Sequence, residues 1–252
     1  MILILNRRVI ILLCLLFSSC VEKSTPPFHG TIFIDPDIIT HNDSSAYIGL
    51  EYIGKEDRTM YDRRVDDWII DMPFLFSASY NDSLVIEVQV NSEFQNINNA
   101  RKYAEKYSVV IGRLSTSLRY DVETVWIHRG MELFGGGNRN ILIHTDYSEK
   151  HYEKQGILEE TLVHEASHTS LDSNHSNNPH WLEAQKRDNI FISNYAMENP
   201  EREDIAESYL PYLAIRYREN RITDSLKNII IHTIPNRIEY FDSQNFKMHP
   251  IQ

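Results

Sequence analysis

The 252-residue chain reads as an α+β protein, with strands first and helices gathered later. Three observations predict this class. Between residues 31 and 94 short apolar runs are separated by Asp, Asn, Ser and Gly, the punctuation of strands and turns. At residue 96 the apolar period shifts from two to three-four. After residue 155 the spacing is helical almost throughout.

Taken in order, residues 1–19 read as a signal segment. In "MILILNRRVIILLCLLFSSC", Arg7 and Arg8 precede an apolar run from Val9 to Phe17, and two serines precede Cys20. The run is shorter than the roughly 20 apolar residues that span a bilayer, and its zones are those of a secretory signal. A small-small-Cys ending resembles the bacterial lipoprotein signal, which implies a lipid-bearing Cys20 and attachment to a membrane outside the cytoplasm. A plain signal peptide is the competing account. Only Cys14 and Cys20 exist, so removal of the signal leaves no disulfide and no thiolate ligand. A diacyl anchor would hold the chain stably, with residues 20–30 as a tether.

The whole chain has net charge −11, and without its first nineteen residues about −13. That balance argues against a nucleic-acid partner or an anionic lipid surface. At 42 % apolar residues, with nine Gly and nine Pro, the composition is that of a folded globule, expected to act as a monomer.

In the strand-rich region 31–94 the candidates are "TIFID", "AYIGLEYIG", "DWIIDMPFLFSASY" and "LVIEVQV". "DRRVDD" (62–67) reads as a solvated turn or ion-pair group. Residues 96–118 place Ala100, Tyr103, Ala104, Tyr107, Val110, Ile111 and Leu114 on one helical face. Strands are expected at 122–130 and 140–147. Between them lies "MELFGGGN", whose triple glycine lacks the Lys-Ser or Lys-Thr of a phosphate loop and reads as a flexible hairpin. Helices are expected at 156–172, at 179–192 with Trp181 in its core face, from Asn199–Pro200 onward, and over "SLKNIIIHTI".

The helix at 156–172 carries "HEASH". Residues four apart share a helix face, so His164 and His168 can offer imidazoles to one ion, with Glu165 set aside to hold a water. Asp172, four beyond His168, is placed to fix that imidazole, or is simply a helix-end carboxylate. A catalytic zinc needs a third ligand. The metzincin pattern is excluded, because Leu171 and Asn174 stand where Gly and His would be required. His175 and His180 remain as alternatives. The stronger candidate region is "YAMENPEREDIAESYLPY", where Glu203 and Glu207 share a face with small Ala206 between them. Glutamates that merely favour a helix N-terminus and face water are the competing account.

HEASH followed about 35 residues later by EDIAES resembles the gluzincin branch of zinc metallopeptidases, with a likeness to the catalytic domains of lethal factor and the Pro-Pro endopeptidases, over residues 95–220. The resemblance implies a zincin-like domain at 95–252, a mixed sheet with an active-site helix and a helical C-terminal part, behind the strand-rich region. It implies a Zn2+ cofactor with Glu203 as third ligand, Tyr195 facing the reacting carbonyl, and Glu207 steadying a histidine. Glu165 would be the general base of peptide-bond hydrolysis, acting on a peptide or protein paired along the strand at 140–147, which would edge the cleft. A non-catalytic binding or surface-assembly lipoprotein on the same scaffold is the alternative.

Overall fold

The structure, a computed structural model, describes residues 25–251. The expected signal segment and Cys20 lie outside the described residues. Five strands come first: β1 (Tyr47–Lys55), β2 (Arg58–Asp62), β3 (Asp67–Asp71), β4 (Phe74–Tyr80) and β5 (Val85–Val90). After α1 (Ile97–Ile111) come β6 (Thr124–His128), β7 (Gly135–Gly137) and β8 (Asn140–His144). The main later helices are α2 (Leu158–Ser170), α3 (Pro179–Asp188), α4 (Asp204–Tyr217), α5 (Asp224–Thr233) and α6 (Pro235–Asp242). No helix among the described residues is long and apolar enough to cross a membrane.

One mixed sheet runs in the order β1-β4-β5-β6-β8-β7. Its β5/β6 and β6/β8 pairs are parallel; β1/β4, β4/β5 and β7/β8 are antiparallel. Val88 pairs with Val125 and Ile127 with Ile143, so β-branched residues from three strands make a continuous apolar layer. Because β5 pairs directly with β6, the boundary expected at 94/95 falls within one continuous sheet.

Helices α1 and α2 contact this sheet, α1 along β1, β4 and β5 and α2 along β7 and β8. Asn96 caps α1 through its side-chain oxygen and Asn99 N–H, and Ala100, Ala104, Tyr107 and Ile111 form its buried stripe. Helix α4 is buried over nearly its whole length and packs on α2. Such a helix has no water-facing side, which is why it carries Ile205, Ala206, Tyr209, Leu210, Tyr212 and Leu213 in close succession. Trp181 is buried against Tyr240 and Phe241, as its core-face reading expects.

Several expectations need correction. "DWIIDMPFLFSASY" is two strands, not one. It breaks at Met72–Pro73, where proline offers no ladder N–H, and β3 pairs with β2 in a separate hairpin while β4 joins the main sheet. "TIFID" forms no strand; the Glu160 carboxylate takes the Ile34 and Ile38 N–H groups instead. The tether docks at its end, since Phe28 bridges to Ser193 and bonds Ile192 and Asn194. The strand expected at 140–147 ends at His144 and lies inside the sheet, not at its edge. The edge is β7, the triple glycine read as a loop. The third late helix starts at Asp204 rather than Pro200, because the Asn199 carbonyl accepts from Arg202 and Glu203 N–H and closes a separate turn.

Candidate metal centre

Helix α2 is the element on which the site is built. Of its thirteen residues Glu165 alone is not buried, so the helix is held by the core on every side except the one that faces the cleft. The four-residue spacing stacks His164 and His168, with their Nε2 atoms 3.2 Å apart. Glu203, at the N-cap of α4, brings Oε2 to 3.3 Å from His164 Nε2 and 3.2 Å from His168 Nε2. All three residues are buried, and their ligand atoms lie within 4.8 Å of one another. His164, His168 and Glu203 therefore form a group that could bind a metal ion.

The surrounding bonds decide which nitrogens face inward. His168 Nδ1 lies 2.8 Å from Asp172 Oδ2, and His164 Nδ1 lies 3.4 Å from Glu207 Oε1. Each carboxylate favours a proton on Nδ1, which turns the Nε2 lone pair toward the shared centre. Glu207 is itself fixed, since Ser193 Oγ donates to its Oε2 at 2.7 Å while accepting the Ala196 N–H. Two imidazole lone pairs and a carboxylate oxygen pointed at one spot are favourable only around a cation, a proton or a metal.

The acid–base behaviour of the metal-free cluster reflects the same need. Burial alone would keep His164 neutral, but Glu203, Glu207 and Glu165 outweigh it and push its pKa up to about 10. For His168, Asp172 and Glu203 overcome burial and raise it to about 9. Burial opposes the charge on Glu203, yet the two imidazoles hold its carboxyl well below the usual range. The donor set, two imidazoles and one carboxylate, is one that zinc accepts.

The cleft has a volume of about 310 Å³, and both Glu165 and Tyr195 line it. Tyr195 sits on the turn Asn194–Glu198, capped by Ser193. Burial first, and then the Glu203 carboxylate, push its phenol above the ordinary range, so it remains a donor at neutral pH. The edge strand β7 lies directly on α2. A Cβ on Gly136 would sit 1.9 Å from the Glu165 carbonyl oxygen, so the strand can approach the helix only without a side chain there. Thr169 ties the two together, accepting the Gly137 N–H and donating to the Asn140 carbonyl.

The structure thus gathers His164, Glu165, His168, Asp172, Tyr195, Glu203 and Glu207 in one place. It leaves out two alternatives: His175 bonds the Tyr240 hydroxyl and His180 is exposed on α3. Two contributors carry little sequence signal. Ser193 looks like any helix-cap serine, although "SNYA" at a turn start is the one hint available. The glycine strand has no β-propensity, and only three glycines in a row just before an apolar strand betray a close backbone approach. The chain matches no family model, no curated protein and no solved structure, so what this centre does is read from its own geometry.

Proposed function

We propose that the chain is a zinc-dependent metallopeptidase, tethered through Cys20 to a bacterial membrane and facing outside the cytoplasm. The observation that carries the reading is the exposure pattern of α2: the three ligand groups are buried and converge, while Glu165, between the two histidines in sequence, lines the cleft with them and is the one α2 residue that is not buried. A structural metal site has no use for a free carboxylate in that position. A zinc ion held by His164, His168 and Glu203 would lower the pKa of a bound water toward 7 and polarise a carbonyl. Glu165 takes up the proton of the attacking water and returns it to the departing amine. Tyr195 donates a hydrogen bond to the carbonyl oxygen as it gains charge. An extended peptide lies along β7, whose outer edge borders the groove holding His168 and Arg202.

Glu165→Gln tests this directly. Metal content should stay near one zinc per chain while cleavage of a degenerate peptide library falls by at least about a hundredfold, the contribution of a positioned general base. Equal cleavage by the variant, or no cleavage by the zinc-loaded wild type, would remove the peptidase reading.

A further inference from the structure

Outside the metal centre, one arginine at the cleft stands without a hydrogen bond or ion pair among the described residues. The β2–β3 hairpin carries seven charged residues between positions 58 and 71. Arg58 pairs with Glu87, and Arg64 with Asp62 and Glu93. Asp66 accepts the Tyr61 hydroxyl, Asp67 the Trp68 N–H, and Asp71 both the N–H and the hydroxyl of Ser92. Arg63 alone has no hydrogen bond and no ion pair among the described residues, although it is half-buried. Its neighbours' bonds hold the turn rigidly, so this cation is presented rather than free to wander.

It lies against the edge strand and lines the cleft that holds Glu165. The Arg63 Nη2 atom lies 2.8 Å from where a Cβ on Gly135 would be, so the first residue of β7 makes room for the guanidinium. Arg63 lines the same cleft as Glu165. Tyr152 lines the cleft with them, and its phenol is pushed up by burial and by the Glu165 charge while Arg63 pulls the other way. The other cleft arginine, Arg202, is mostly exposed and is already paired with Glu203 Oε1 at 3.2 Å. In a chain of net charge −11, Arg63 is thus an uncommitted cation in the cleft that holds Glu165. A guanidinium fork is matched by a carboxylate.

We propose that Arg63 determines specificity, pairing with a carboxylate of the bound peptide close to the bond that is cut. The preferred substrates are therefore peptides with Asp, Glu or a free C-terminus at that place. This rests on the reading of the cleft as a peptide-hydrolysing site.

The test uses the zinc-loaded chain carrying Glu165→Gln, immobilised and exposed to N-acetylated octapeptides randomised at every position. One set has free C-termini and the other has C-terminal amides, and retained peptides are sequenced by mass spectrometry. Enrichment of Asp and Glu at one position, about tenfold or more in both sets, assigns the pairing to a side chain; tenfold is what one charge-assisted hydrogen bond supplies. Preference for the free-acid set alone assigns it to the C-terminus. Adding Arg63→Met should abolish either preference, and Arg63→Lys should restore part of it. Retention indifferent to carboxylates, no retention, or a preference that survives Arg63→Met overturns the assignment. Cleavage of the same peptides by the wild type separates the two claims. Cutting without acidic preference removes Arg63 and keeps the peptidase, and acid-selective capture without cutting does the reverse.

Discussion

Replacing Gly136 by alanine isolates the contact between β7 and α2. The added Cβ would stand 1.9 Å from the Glu165 carbonyl oxygen, 2.6 Å from its carbon and 2.9 Å from the Cα. All three atoms are backbone, so no rotamer change relieves the clash. Restoring an ordinary contact requires the strand and helix to part by about 1.5 Å. Overfilling a packed contact costs about 1–3 kcal/mol, and a rigid obstruction belongs at the upper end. The φ of Gly136 is not positive, so alanine meets no dihedral strain, and the unfolded chain loses entropy worth about 0.4–1 kcal/mol in the opposite direction. The net loss is about 2 kcal/mol. At this chain length it lowers Tm by roughly 4–8 °C, readable by calorimetry and checked by urea unfolding. Gly49→Ala is the control, because nothing lies within 4 Å of its Cβ and its φ is ordinary. It should leave Tm unchanged or raise it slightly. If Gly136→Ala melts with Gly49→Ala and the wild type, β7 does not rest on α2, and the cleft has no strand at its edge.

Three further outcomes follow from the charges around the imidazoles. Glu207→Gln should weaken zinc binding by close to a hundredfold, since it is buried; Asp172→Asn should cost nearer tenfold, because its side chain is 25 % exposed and water substitutes in part. Competition against a chromogenic chelator measures both, and unchanged affinities would show that these carboxylates do not set the imidazoles. In the chelated chain, His164 and His168 have folded-state pKa values of about 10 and 9 against an ordinary 6.5, so their protonation stabilises the fold fully below pH 6.5. That contribution is lost as pH rises through 9 and 10. Urea melts of chelated protein at pH 6 and pH 10 should show the decline and zinc-loaded protein should not, while zinc uptake at pH 7 releases protons, seen as buffer-dependent heats in titration calorimetry. Uptake without proton release would mean the histidines are already neutral.

The candidate metal ligands were readable because helical spacing is a local property. His164 and His168 share a face whatever surrounds them, and a polar run interrupting an apolar helix stands out at Glu203 and Glu207. What resisted reading was set by partners far away in sequence. Gly135–Gly137 is a strand only because Leu142, Ile141 and Asn140 pair with it and Thr169 holds it to α2. "TIFID" has the composition of a strand, but the Glu160 carboxylate, more than 120 residues away, accepts the Ile34 N–H and, just beyond the segment, the Ile38 N–H. Asn199–Pro200 is a sound local start for a helix, yet the Asn199 carbonyl closes a turn and passes the N-cap position to Glu203. That shift of four residues puts the third ligand at a helix entrance rather than along its side.

The residue after that ligand has a consequence for the order in which the protein comes into being. Asp204 is fully buried and is held by Gln185 from α3 and by Arg237 from α6, whose guanidinium also bonds Asp188. Without Arg237 two buried carboxylates face each other near the start of α4, an arrangement that burial strongly disfavours. A growing chain carries His164, Glu165, His168 and Glu203 well before residue 237 is made. Until that arginine arrives, Asp204 has Gln185 as its neutral partner and no buried cation to offset its charge. A nascent or truncated chain that contains His164, His168 and Glu203 therefore still lacks one of the contacts that hold the α4 entrance.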